Sequence, residues 1–482
     1  MTTAKSFASP SATSPSRPSD CDGDHSELKS FARSATCTAS LRRPDDDAAW
    51  ERLFARSGPR GVTVRGCGAS YSDAALNEGG TVALSTAAPQ ILAWDTERGV
   101  VDVDAGLTLG QLLTFCVPLG WTLPVLPGTA RVTVGGAVAA DVHGKNHPRA
   151  GSFSSCVTQL ALITPGQGTM TVSPAERPEV FWATVGGVGL TGVVRRVRLQ
   201  LQRISSSWLS TTDTVCADVD EVLSVMTEQG TKHEHVVGWI DGYAPVGSLG
   251  RGIVSTGDHC TVDHLPARLR RRAHRYEPHH LTLGISARAN LVRPATIRAA
   301  NTARYYRARG RTGRSIRDFT HAFHPLDAVT DWPVVYGREG LVQYQFCVPD
   351  GHENLLQRAL EYLPAAGCPP ALVTLKRLGA ASPAPLSFPS PGWTMALDVA
   401  TRPARGASST FDHLDESVTR AGGRIYLVKN SRTRPELIAR MYPNLQHWQS
   451  VREALDPQGV MTSDLDRRLN LTGWCRSGGR SW

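Results

Sequence analysis

Four glycine-rich segments lie close together in the chain and could surround the phosphates of a large cofactor. They are Arg65–Asp73, Pro127–Gly136, Asp141–His147 and Phe181–Gly192. Glycine has no Cβ and reaches positive φ readily, so main-chain N–H groups in such segments can approach a pyrophosphate closely. One segment of this kind is weak evidence. Four segments interleaved with β-like runs favour a large phosphate-containing cofactor.

The fourth segment also contains a literal dinucleotide-binding fingerprint, which the residues after it argue against. Gly187-Val-Gly-Leu-Thr-Gly192 has the fingerprint spacing, and Asp213 follows at about the distance of its acidic residue. The fingerprint works where it opens a helix whose N-terminus faces the pyrophosphate. The residues that follow, 193–201, are β-branched and then alternate apolar with polar, as in a strand. We therefore expect no Rossmann fold here.

Short strands and one helix must position these segments. Strands are predicted at 62–65, 81–84, 100–103, 160–164 and 193–201. Leu109, Leu112, Leu113 and Cys116 recur at helical spacing and predict a helix over 109–117. Strands with one intervening helix indicate an α+β fold rather than a regular βαβ array.

The composition is that of a globular protein, with 41% hydrophobic and 20% charged residues. No apolar run approaches the roughly 18 residues of a membrane-spanning helix. Residues 1–45 are rich in Ser, Thr, Pro and Ala and lack the apolar core of a secretory signal. We predict a disordered tail there, with a transit peptide as the minor alternative, and a fold that begins near Asp45. Ten scattered cysteines without a CxxC pair indicate free thiols and a reducing, cytoplasmic location.

A basic stretch stands out in the middle of a chain whose net charge is +9. Between Arg268 and Arg317 there are 14 arginines, with histidines in or beside the stretch. Two interpretations stay open: a solvated excursion, or an electrostatic patch for phosphate or anionic lipid headgroups that would bring the protein to a membrane surface. Nucleic acid is not expected as a partner, because no binding motif accompanies the charge.

Further motifs, in a fixed order, carry a family resemblance. Besides the glycine-rich segments they are Val125-Leu-Pro-Gly-Thr, His143-Gly-Lys-Asn-His, Phe181-Trp-Ala-Thr-Val-Gly-Gly, His324-Pro-Leu-Asp, Gln343-Tyr-Gln-Phe, Pro385-Leu-Ser-Phe-Pro, Pro391-Gly-Trp, Lys429-Asn-Ser-Arg-Thr and Ser463-Asp-Leu-Asp-Arg-Arg-Leu. Over about residues 50–472 the chain resembles the p-cresol-methylhydroxylase-type (PCMH-type, vanillyl-alcohol-oxidase-like) FAD-binding oxidoreductase family. Within that family it is most similar to the decaprenylphosphoryl-β-D-ribose 2′-oxidase group, which serves the arabinan of mycobacterial cell walls.

The resemblance implies an α+β fold in two domains. A PCMH-type FAD-binding domain would comprise residues 46–204 together with a C-terminal segment, 416–472. A substrate (cap) domain with an antiparallel sheet would be inserted at 205–415. This division agrees with the sequence pattern. Near residue 205 the glycine-dense motifs give way to predicted mixed strands and helices, and near residue 415 this region ends. Residues 473–482 would form a second tail.

The resemblance also implies which residues contact FAD. By motif position they are Val64, Arg65, Gly66, Cys67, Gly68, Ala69, Ser70, Tyr71, Ser72, Asp73, Ala74, Gly128, Thr133, Val134, Gly135, Gly136, Ala140, Asp141, Val142, His143, Val194 and Tyr426. Many relatives attach the flavin to a histidine in the first loop. Here that loop reads Ala69-Ser70-Tyr71, as in the non-covalent subfamily, so dissociable FAD is expected.

Three residues are predicted to be catalytic: Lys429, His143 and Tyr71. Alcohol oxidation needs a hydride acceptor, which is the flavin, and a group that receives the hydroxyl proton. Lys429 occupies the family's Lys-Asn/Asp-Ser-Arg segment, and a lysine beside a flavin can have a lowered pKa. His143 lies near the flavin by resemblance, and Tyr71 could donate a hydrogen bond near the ring.

Four residues are predicted to bind substrate: Lys145, Gln343, Gln345 and Lys376. Gln343 and Gln345 alternate on a predicted strand and therefore point to the same face. With Lys376 they could offer amide and ammonium donors to sugar hydroxyls or a phosphate. For His143 and Tyr71, as for any buried ring, a structural packing role is the alternative.

Several positions depart from the family pattern. Phe323 stands where the family has a tyrosine, Thr394 where it has an asparagine, and Ala396 where it has a cysteine. The first loop reads Ala-Ser-Tyr-Ser-Asp in place of Arg-Ser-Tyr-Gly-Asp. These departures leave FAD binding credible and bear on the substrate.

The leading functional hypothesis is an FAD-dependent oxidoreductase that converts a secondary alcohol of a polyprenyl-phosphate pentose, or of a related phosphorylated sugar, to a ketone. In the family a short-chain NAD(P)H reductase then reduces the ketone, which completes an epimerisation. The alternative is a sugar, alditol or nucleoside oxidase of a secondary-metabolite pathway. No metal is expected, because His233-Glu-His235 lacks the spacing of a helical zinc pair and no Cys/His quartet is present. A serine hydrolase lacks its Gly-x-Ser-x-Gly motif.

Overall fold

A computed structural model describes residues 25–86, 89–278, 291–311 and 313–473. Within them the chain forms a four-stranded sheet, a five-stranded sheet, a two-stranded ribbon and an eight-stranded sheet. The first two sheets carry the glycine-rich segments, and the largest sheet faces those segments across a cavity. No helix of the described part is both long and apolar enough to cross a membrane.

The four-stranded sheet has the order β1-β2-β4-β3. Its strands are β1 (His25–Lys29), β2 (Thr36–Arg42), β3 (Val62–Arg65) and β4 (Thr81–Leu84). The strands β1 and β2 form an antiparallel hairpin inside the tail that was predicted to be disordered, so that prediction was wrong for residues 25–45. The hairpin is ordered through β2, which pairs in parallel with β4 and buries the small side chains of Cys37 and Ala39. The rest of the predicted tail, 1–24, lies outside the described residues.

The five-stranded sheet is antiparallel, with the order β5-β6-β10-β8-β9. Its strands are β5 (Ile91–Asp95), β6 (Val100–Asp104), β8 (Val157–Thr164), β9 (Gly168–Val172) and β10 (Val193–Gln200). The ribbon pairs β7 (Trp121–Thr122) with β11 (Gln202–Arg203). Since β10 follows Gly192 directly, the dinucleotide fingerprint opens a strand and the Rossmann fold is excluded, as predicted.

The eight-stranded sheet has the order β15-β12-β14-β13-β17-β18-β16-β19. Its strands are β12 (Trp208–Cys216), β13 (His235–Ile240), β14 (Gly252–His259), β15 (Ser315–Asp318), β16 (Leu341–Val348), β17 (Leu372–Leu378), β18 (Gly392–Ala400) and β19 (Arg424–Ile425). The two-residue β19 comes from the segment predicted to return to the FAD domain, so that segment also completes the edge of this sheet.

Fifteen α-helices are present in the described residues. They are α1 (Asp47–Ala55), α2 (Leu109–Cys116), α3 (Val134–Ala139), α4 (His147–Ala150), α5 (Pro178–Thr184), α6 (Val219–Lys232), α7 (Ala267–Arg270), α8 (Pro294–Arg309), α9 (Phe319–Phe323), α10 (Asn354–Ala365), α11 (Thr401–Gly406), α12 (Ser408–Arg420), α13 (Ile438–Met441), α14 (Leu445–Leu455) and α15 (Asp464–Leu469). The predicted helix over 109–117 is confirmed by α2, which Thr108 and Gln111 cap reciprocally.

The two faces of the eight-stranded sheet differ in chemistry because side chains alternate along each strand. Tyr344 and Phe346 of β16 and Met395 and Leu397 of β18 join the main core, which also contains buried side chains of α6, α10 and α12. The alternate residues of the same strands, with Gln343 among them, face the cavity. This sheet therefore separates a packed core from a polar site.

Candidate active site

The glycine-rich segments and the eight-stranded sheet enclose a cavity of about 310 Å³. We call its two sides the loop wall and the sheet wall. The loop wall comprises the lining residues Val64, Gly66, Cys67, Gly68, Ala69, Ser70, Tyr71, Ala74, Ala75, Pro127, Gly128, Thr129, Val132, Thr133, Gly135, Gly136, Ala139, Ala140, Val142, His143, Val188, Gly189, Gly192 and Val194. The sheet wall comprises Gln343, Gln345, Leu372, Thr374, Lys376, Ala396, Asp398, Tyr426, Val428 and Lys429.

The loop wall is held in place by main-chain hydrogen bonds to distant parts of the chain. The N–H groups of Tyr71 and Ser72 both donate to the carbonyl of Val428, at 3.1 and 3.2 Å. Thr133 caps α3 by accepting from Gly136 N–H through its side-chain oxygen. The first glycine-rich loop is thereby fixed directly against the segment that carries Lys429.

Two glycines of the loop wall leave space that a larger residue would fill. A Cβ added to Gly128 or Gly189 would meet no protein atom within 4 Å, although both residues line the cavity. A Cβ on Gly66, in contrast, would lie 2.4 Å from the side-chain oxygen of Thr133. The loop wall is therefore tightly packed at Gly66 and has free space at Gly128 and Gly189. This shape fits an extended cofactor bound along main-chain atoms.

The sheet wall is built from alternate residues of three neighbouring strands. In register, Gln343 of β16 lies opposite Asp398 of β18, and Gln345 lies opposite Ala396. On the other side, Lys376 of β17 lies opposite Thr394 of β18. The predicted alternation of Gln343 and Gln345 is confirmed, because both side chains line the cavity.

Lys429 lies at the meeting point of the two walls. Its Nζ is 3.5 Å from the centre of the Tyr71 ring, a cation–π geometry. Burial lowers the pKa of Lys429 to about 7, with repulsion from Lys376 in the same direction and attraction to Asp398 in the opposite one. A lysine with this pKa can exchange a proton near neutral pH.

The carboxyl group of Asp398 is buried, and one of its two oxygens accepts a hydrogen bond. Gln343 Nε2 donates to its Oδ1 at 2.5 Å, whereas Oδ2 has no hydrogen-bond partner in the described residues. Burial raises the pKa of Asp398 to about 6, against the opposing effects of Gln343 and Lys429. Burial also lowers the pKa of Lys376 to about 8.

His143 is buried where the loop wall meets β16. Gln345 Nε2 lies 3.1 Å from His143 Nε2, and the Gln345 amide also donates to Thr394 Oγ1 at 3.3 Å. Burial, with Lys376, His147 and Lys429 nearby, holds the pKa of His143 well below its usual value. The ring is therefore neutral and, with Nε2 accepting, carries its proton on Nδ1, which has no partner in the described residues.

Six of the predicted site residues do not line the cavity. Arg65 donates to the carbonyls of Lys29 and Ala75, and Asp73 forms two hydrogen bonds with Arg468. The others are Ser72 and Val134, which are buried, Asp141, which accepts from Ser382 and Ser387, and Lys145, which donates to the carbonyl of Ala322. These contacts hold the shape of the walls. The remaining predicted site residues line the cavity.

The three departures from the family pattern occupy different places. Ala396 lines the cavity, and Thr394 supports Gln345 from beside it. Phe323 lies away from the lining, packed edge-on against His235 with ring centres 4.8 Å apart. The change at 396 thus alters the cavity itself, whereas the change at 323 alters a supporting core.

The cavity residues that were not predicted from the sequence include Asp398, Asp327, Phe31 and Trp332. The alternation Thr394, Ala396, Asp398 along β18 could have identified the first. Asp327 ends the quoted His324-Pro-Leu-Asp motif and accepts from Thr129 Oγ1 and Ala130 N–H, both at 2.7 Å. Phe31 and Trp332 carried no sequence signal, because they reach the cavity only through tertiary packing.

The arginine-rich stretch is described in part. Residues 270–275 and Glu277 line an open surface depression of about 580 Å³, and Arg268, Arg270, Arg271, Arg272 and Arg275 are exposed. Arg275 pairs with Glu277. Residues 279–290 of the stretch lie outside the described part of the chain.

Comparison with known proteins agrees with this geometry. A family model described as FAD binding domain matches residues 48–173, and one described as D-arabinono-1,4-lactone oxidase matches residues 393–469. The first covers most of the loop wall, and the second covers the end of the sheet wall from β18 to Lys429. The fold and the site thus define an FAD-dependent oxidase that acts on CH–OH groups.

Individual related proteins narrow the assignment. Decaprenylphosphoryl-beta-D-ribose oxidase of Mycolicibacterium smegmatis is 35% identical over 450 residues, which are 92% of this chain and 97% of the relative. A Streptomyces coelicolor protein named "Uncharacterized protein in mprA 5'region" is 39% identical over 374 residues, 76% of this chain and all of that protein. Mitochondrial L-galactono-1,4-lactone dehydrogenase of Arabidopsis thaliana is 30% identical over 165 residues, 34% of this chain and 27% of that enzyme. The chain belongs to the FAD-binding oxidoreductase family that includes decaprenylphosphoryl-beta-D-ribose oxidase.

Proposed function

We propose that this enzyme oxidises a secondary alcohol of a polyprenyl-phosphate-linked pentose to a ketone, in the manner of a decaprenylphosphoryl-β-D-ribose 2′-oxidase. FAD, held along the loop wall by residues such as Gly66, Gly128 and Gly136, supplies the hydride acceptor. The substrate carbon loses the hydride, and the hydroxyl proton passes to a base of the protein.

Lys429 is the base that we propose. Its pKa of about 7 leaves a substantial fraction of the amine neutral at neutral pH, and the Tyr71 ring beneath the Nζ stabilises the ammonium ion that proton transfer creates. Asp398 stabilises the same ammonium ion, since its charge raises the pKa of Lys429. His143 and Gln345 form a neutral pair that can orient a substrate hydroxyl.

One observation carries the proposal of an anionic substrate: lysines outnumber carboxylates at the sheet wall. Lys376 and Lys429 line it and Lys145 lies beside it, and burial lowers the pKa of each. The cavity lining holds two carboxylates, Asp398 on this wall and Asp327 outside it, against these three lysines. Enclosed ammonium groups are unfavourable without a partner, so a substrate phosphate would supply the missing negative charge. The name of the Mycolicibacterium relative supports the same substrate class.

The finer expectations belong to this proposal. Residues 205–415 would act as an inserted substrate domain, and a short-chain NAD(P)H reductase would reduce the ketone and complete an epimerisation in the cytoplasm. The exposed arginines at 268–275 would attract anionic headgroups, so that a lipid-linked substrate could be taken from a membrane surface. FAD would be bound without a covalent link, so acid precipitation should release all of the yellow colour into the supernatant.

Anaerobic bleaching of the flavin by a substrate panel tests the proposal. The panel contains polyprenyl-phosphoryl ribose, free pentoses, a nucleoside, an alditol and D-arabinono-1,4-lactone. We expect the lipid-phosphate sugar to bleach the flavin fastest, and its apparent affinity to fall between about 50 and 500 mM salt, over which exposed charges become strongly screened. Preference for an unphosphorylated compound without salt dependence would refute the substrate and leave the oxidase assignment intact.

A sugar, alditol or nucleoside oxidase is the second candidate. It is favoured by Ala396 in the cavity lining, where the family pattern has a cysteine, and by Thr394 beside it. Ala396 changes the sheet wall against which a pentose ring would lie, and Thr394 changes the support of Gln345 in that wall. The same panel decides between the two candidates, since the unphosphorylated compounds represent the second.

A further inference from the structure

The turn of the N-terminal hairpin reaches the active site. The turn, residues 30–35, connects β1 to β2, and the half-buried side chain of Phe31 lines the cavity. Phe31 N–H donates to the carbonyl of Ser70 at 2.9 Å, and Leu341 N–H donates to the carbonyl of Ala32 at 2.9 Å. The turn is therefore attached both to the first glycine-rich loop and to the start of β16.

Three aromatic rings connect this turn to Lys429. The ring centre of Phe31 lies 5.2 Å from that of Tyr71 and 6.1 Å from that of Trp332, and the rings of Tyr71 and Trp332 are 6.4 Å apart. These distances are typical of tilted and edge-on aromatic pairs. The same Tyr71 ring lies under the Nζ of Lys429.

The position of the turn is specified by its surroundings. The Arg33 guanidinium forms an ion pair with Asp331, next to Trp332, and both residues have positive φ, 64° and 51°. On the other side, a Cβ on Gly340 would lie 1.9 Å from the carbonyl oxygen of Ala32. Such close approach on both sides leaves the turn little freedom to shift.

We propose that the 30–35 turn is a positioning element of the active site, in which Phe31 holds the Tyr71 ring against the Nζ of Lys429 and closes that side of the cavity to water. The role of Lys429 as proton acceptor rests on the proposed function. The placement of Phe31 and its effect on Lys429 do not depend on which sugar is the substrate.

The groups that face Lys429 determine what loss of the Phe31 ring would do. They are Tyr71 from the first loop, His143 from the loop wall, and Asp398 and Lys376 from the sheet. Tyr336, behind them, interacts with Asp398 and Tyr71. Removing Phe31 changes none of these charges but admits water beside Tyr71. Since burial is the largest cause of the lowered pKa of Lys429, that pKa would rise towards the usual value of about 10.4.

The test compares Phe31→Ala with Leu28→Ala in the FAD-loaded protein. Leu28 belongs to the same hairpin but packs on Cys37, Ala39, Leu76 and Val82, away from the cavity. For Phe31→Ala we expect flavin reduction about tenfold slower at pH 7, with most of the loss recovered at pH 9. Leu28→Ala should lower thermal stability without changing the pH profile, and Phe31→Leu should restore most of the normal behaviour.

A second measurement needs no substrate. The extent of modification of Lys429 by an amine reagent, read by mass spectrometry of its peptide between pH 6 and 10, reports the pKa of this lysine directly. Phe31→Ala should move the midpoint to higher pH, and Leu28→Ala should not. An unchanged midpoint, or a loss of activity that is the same at every pH, would overturn the proposal.

Failure of the proposed function would be distinguishable from failure of this inference. If no sugar bleaches the flavin, the modification profile still decides whether Phe31 controls Lys429. If Phe31→Ala does not fold, Arg33→Ala replaces it, since this change removes the ion pair with Asp331 that holds the turn. An unchanged Lys429 midpoint in Arg33→Ala would then overturn the proposal.

Discussion

The two walls of the cavity differ in the chemistry of their lining residues. Among its lining residues the loop wall carries no Lys, Arg, Asp or Glu. Twelve of them are glycine or alanine: Gly66, Gly68, Ala69, Ala74, Ala75, Gly128, Gly135, Gly136, Ala139, Ala140, Gly189 and Gly192. The sheet wall carries Lys376, Asp398 and Lys429 together with two glutamine amides.

This difference separates two tasks. Main-chain atoms on a wall of small residues can follow an extended cofactor without any change of protonation. Side chains on alternate positions of adjacent strands can place charge and hydrogen-bond donors at chosen points, and burial then adjusts their pKa values. In the proposed function the loop wall would provide shape for the cofactor, and the sheet wall would provide proton transfer and charge for the substrate.

Removal of the Lys429 amine is the strongest test of this separation between cofactor binding and proton transfer. In Lys429→Met, flavin reduction should slow by about 10²-fold or more, the usual scale for a positioned proton-transfer group, while FAD stays bound. Single-turnover bleaching measures the rate, and the flavin absorbance of the purified protein measures occupancy. Lys232→Met, on the exposed surface of α6, is the matched control. A near-normal rate for Lys429→Met would show that the proton goes elsewhere.

A substitution at Lys376 should affect the binding of a substrate phosphate and not the binding of the sugar itself. Lys376→Met removes a charge-assisted hydrogen bond of about 1.5–3 kcal/mol, so KM for a phosphorylated sugar should rise roughly 10- to 100-fold. KM for an unphosphorylated sugar should change little. Steady-state kinetics on both substrates measure the contrast. Equal effects on the two would mean that Lys376 does not bind the phosphate.

A single methyl group should impair the loop wall. In Gly128→Ala the new Cβ enters space that no protein atom occupies within 4 Å, and FAD affinity should fall about tenfold, or about 1.4 kcal/mol, with the fold intact. Gly58→Ala also adds a Cβ into open space but lies outside the cavity, so its FAD affinity should be normal. Fluorescence titration of the apoprotein with FAD measures both. Equal affinities would show that the cofactor does not pass Gly128.

The smallest effect concerns pH. Because Lys429 accepts a proton only when neutral, flavin reduction should increase as pH rises through about 7. Asp398 raises the pKa of Lys429, so the isosteric Asp398→Asn should move this increase to lower pH. Rates of anaerobic bleaching between pH 5 and 9 measure the shift. Loss of the increase in Asp398→Asn would mean that Asp398, and not Lys429, controls the profile.

Local patterns predicted the loop wall well. The strands at 62–65 and 81–84 and the helix over 109–117 have short-range signals, namely β-branched runs and a capped amphipathic turn, and the structure confirms all three. Of the residues that the resemblance assigns to the cofactor, those of the first loop other than Arg65, Ser72 and Asp73, and those around Gly128 and Gly136 other than Val134, line one cavity. Their contact with FAD stays a prediction.

Prediction failed where distant segments supply the stability. The β1–β2 hairpin has small, polar residues and depends on distant partners, among them β4, which pairs with β2. The C-terminal helical region is interrupted, since α13 ends at Met441 and α14 begins at Leu445. Pro443 lies between them and cannot donate the hydrogen bond that a continuous helix needs. Asp398 was missed because only the register of β16 against β18 brings it to Gln343.

The strand β3 has consequences for how the protein is made. On one side β3 pairs with β4, and on the other Val62 exchanges main-chain hydrogen bonds with Val460 and Thr462. The first glycine-rich loop, which follows β3, is in turn bonded to Val428. During synthesis the residues of the loop wall therefore emerge from the ribosome long before the partners that fix them, and contacts over such sequence separations form slowly. We therefore expect the nascent chain to retain its cofactor only after its last segment is complete, so a product that stops before residue 428 should be colourless.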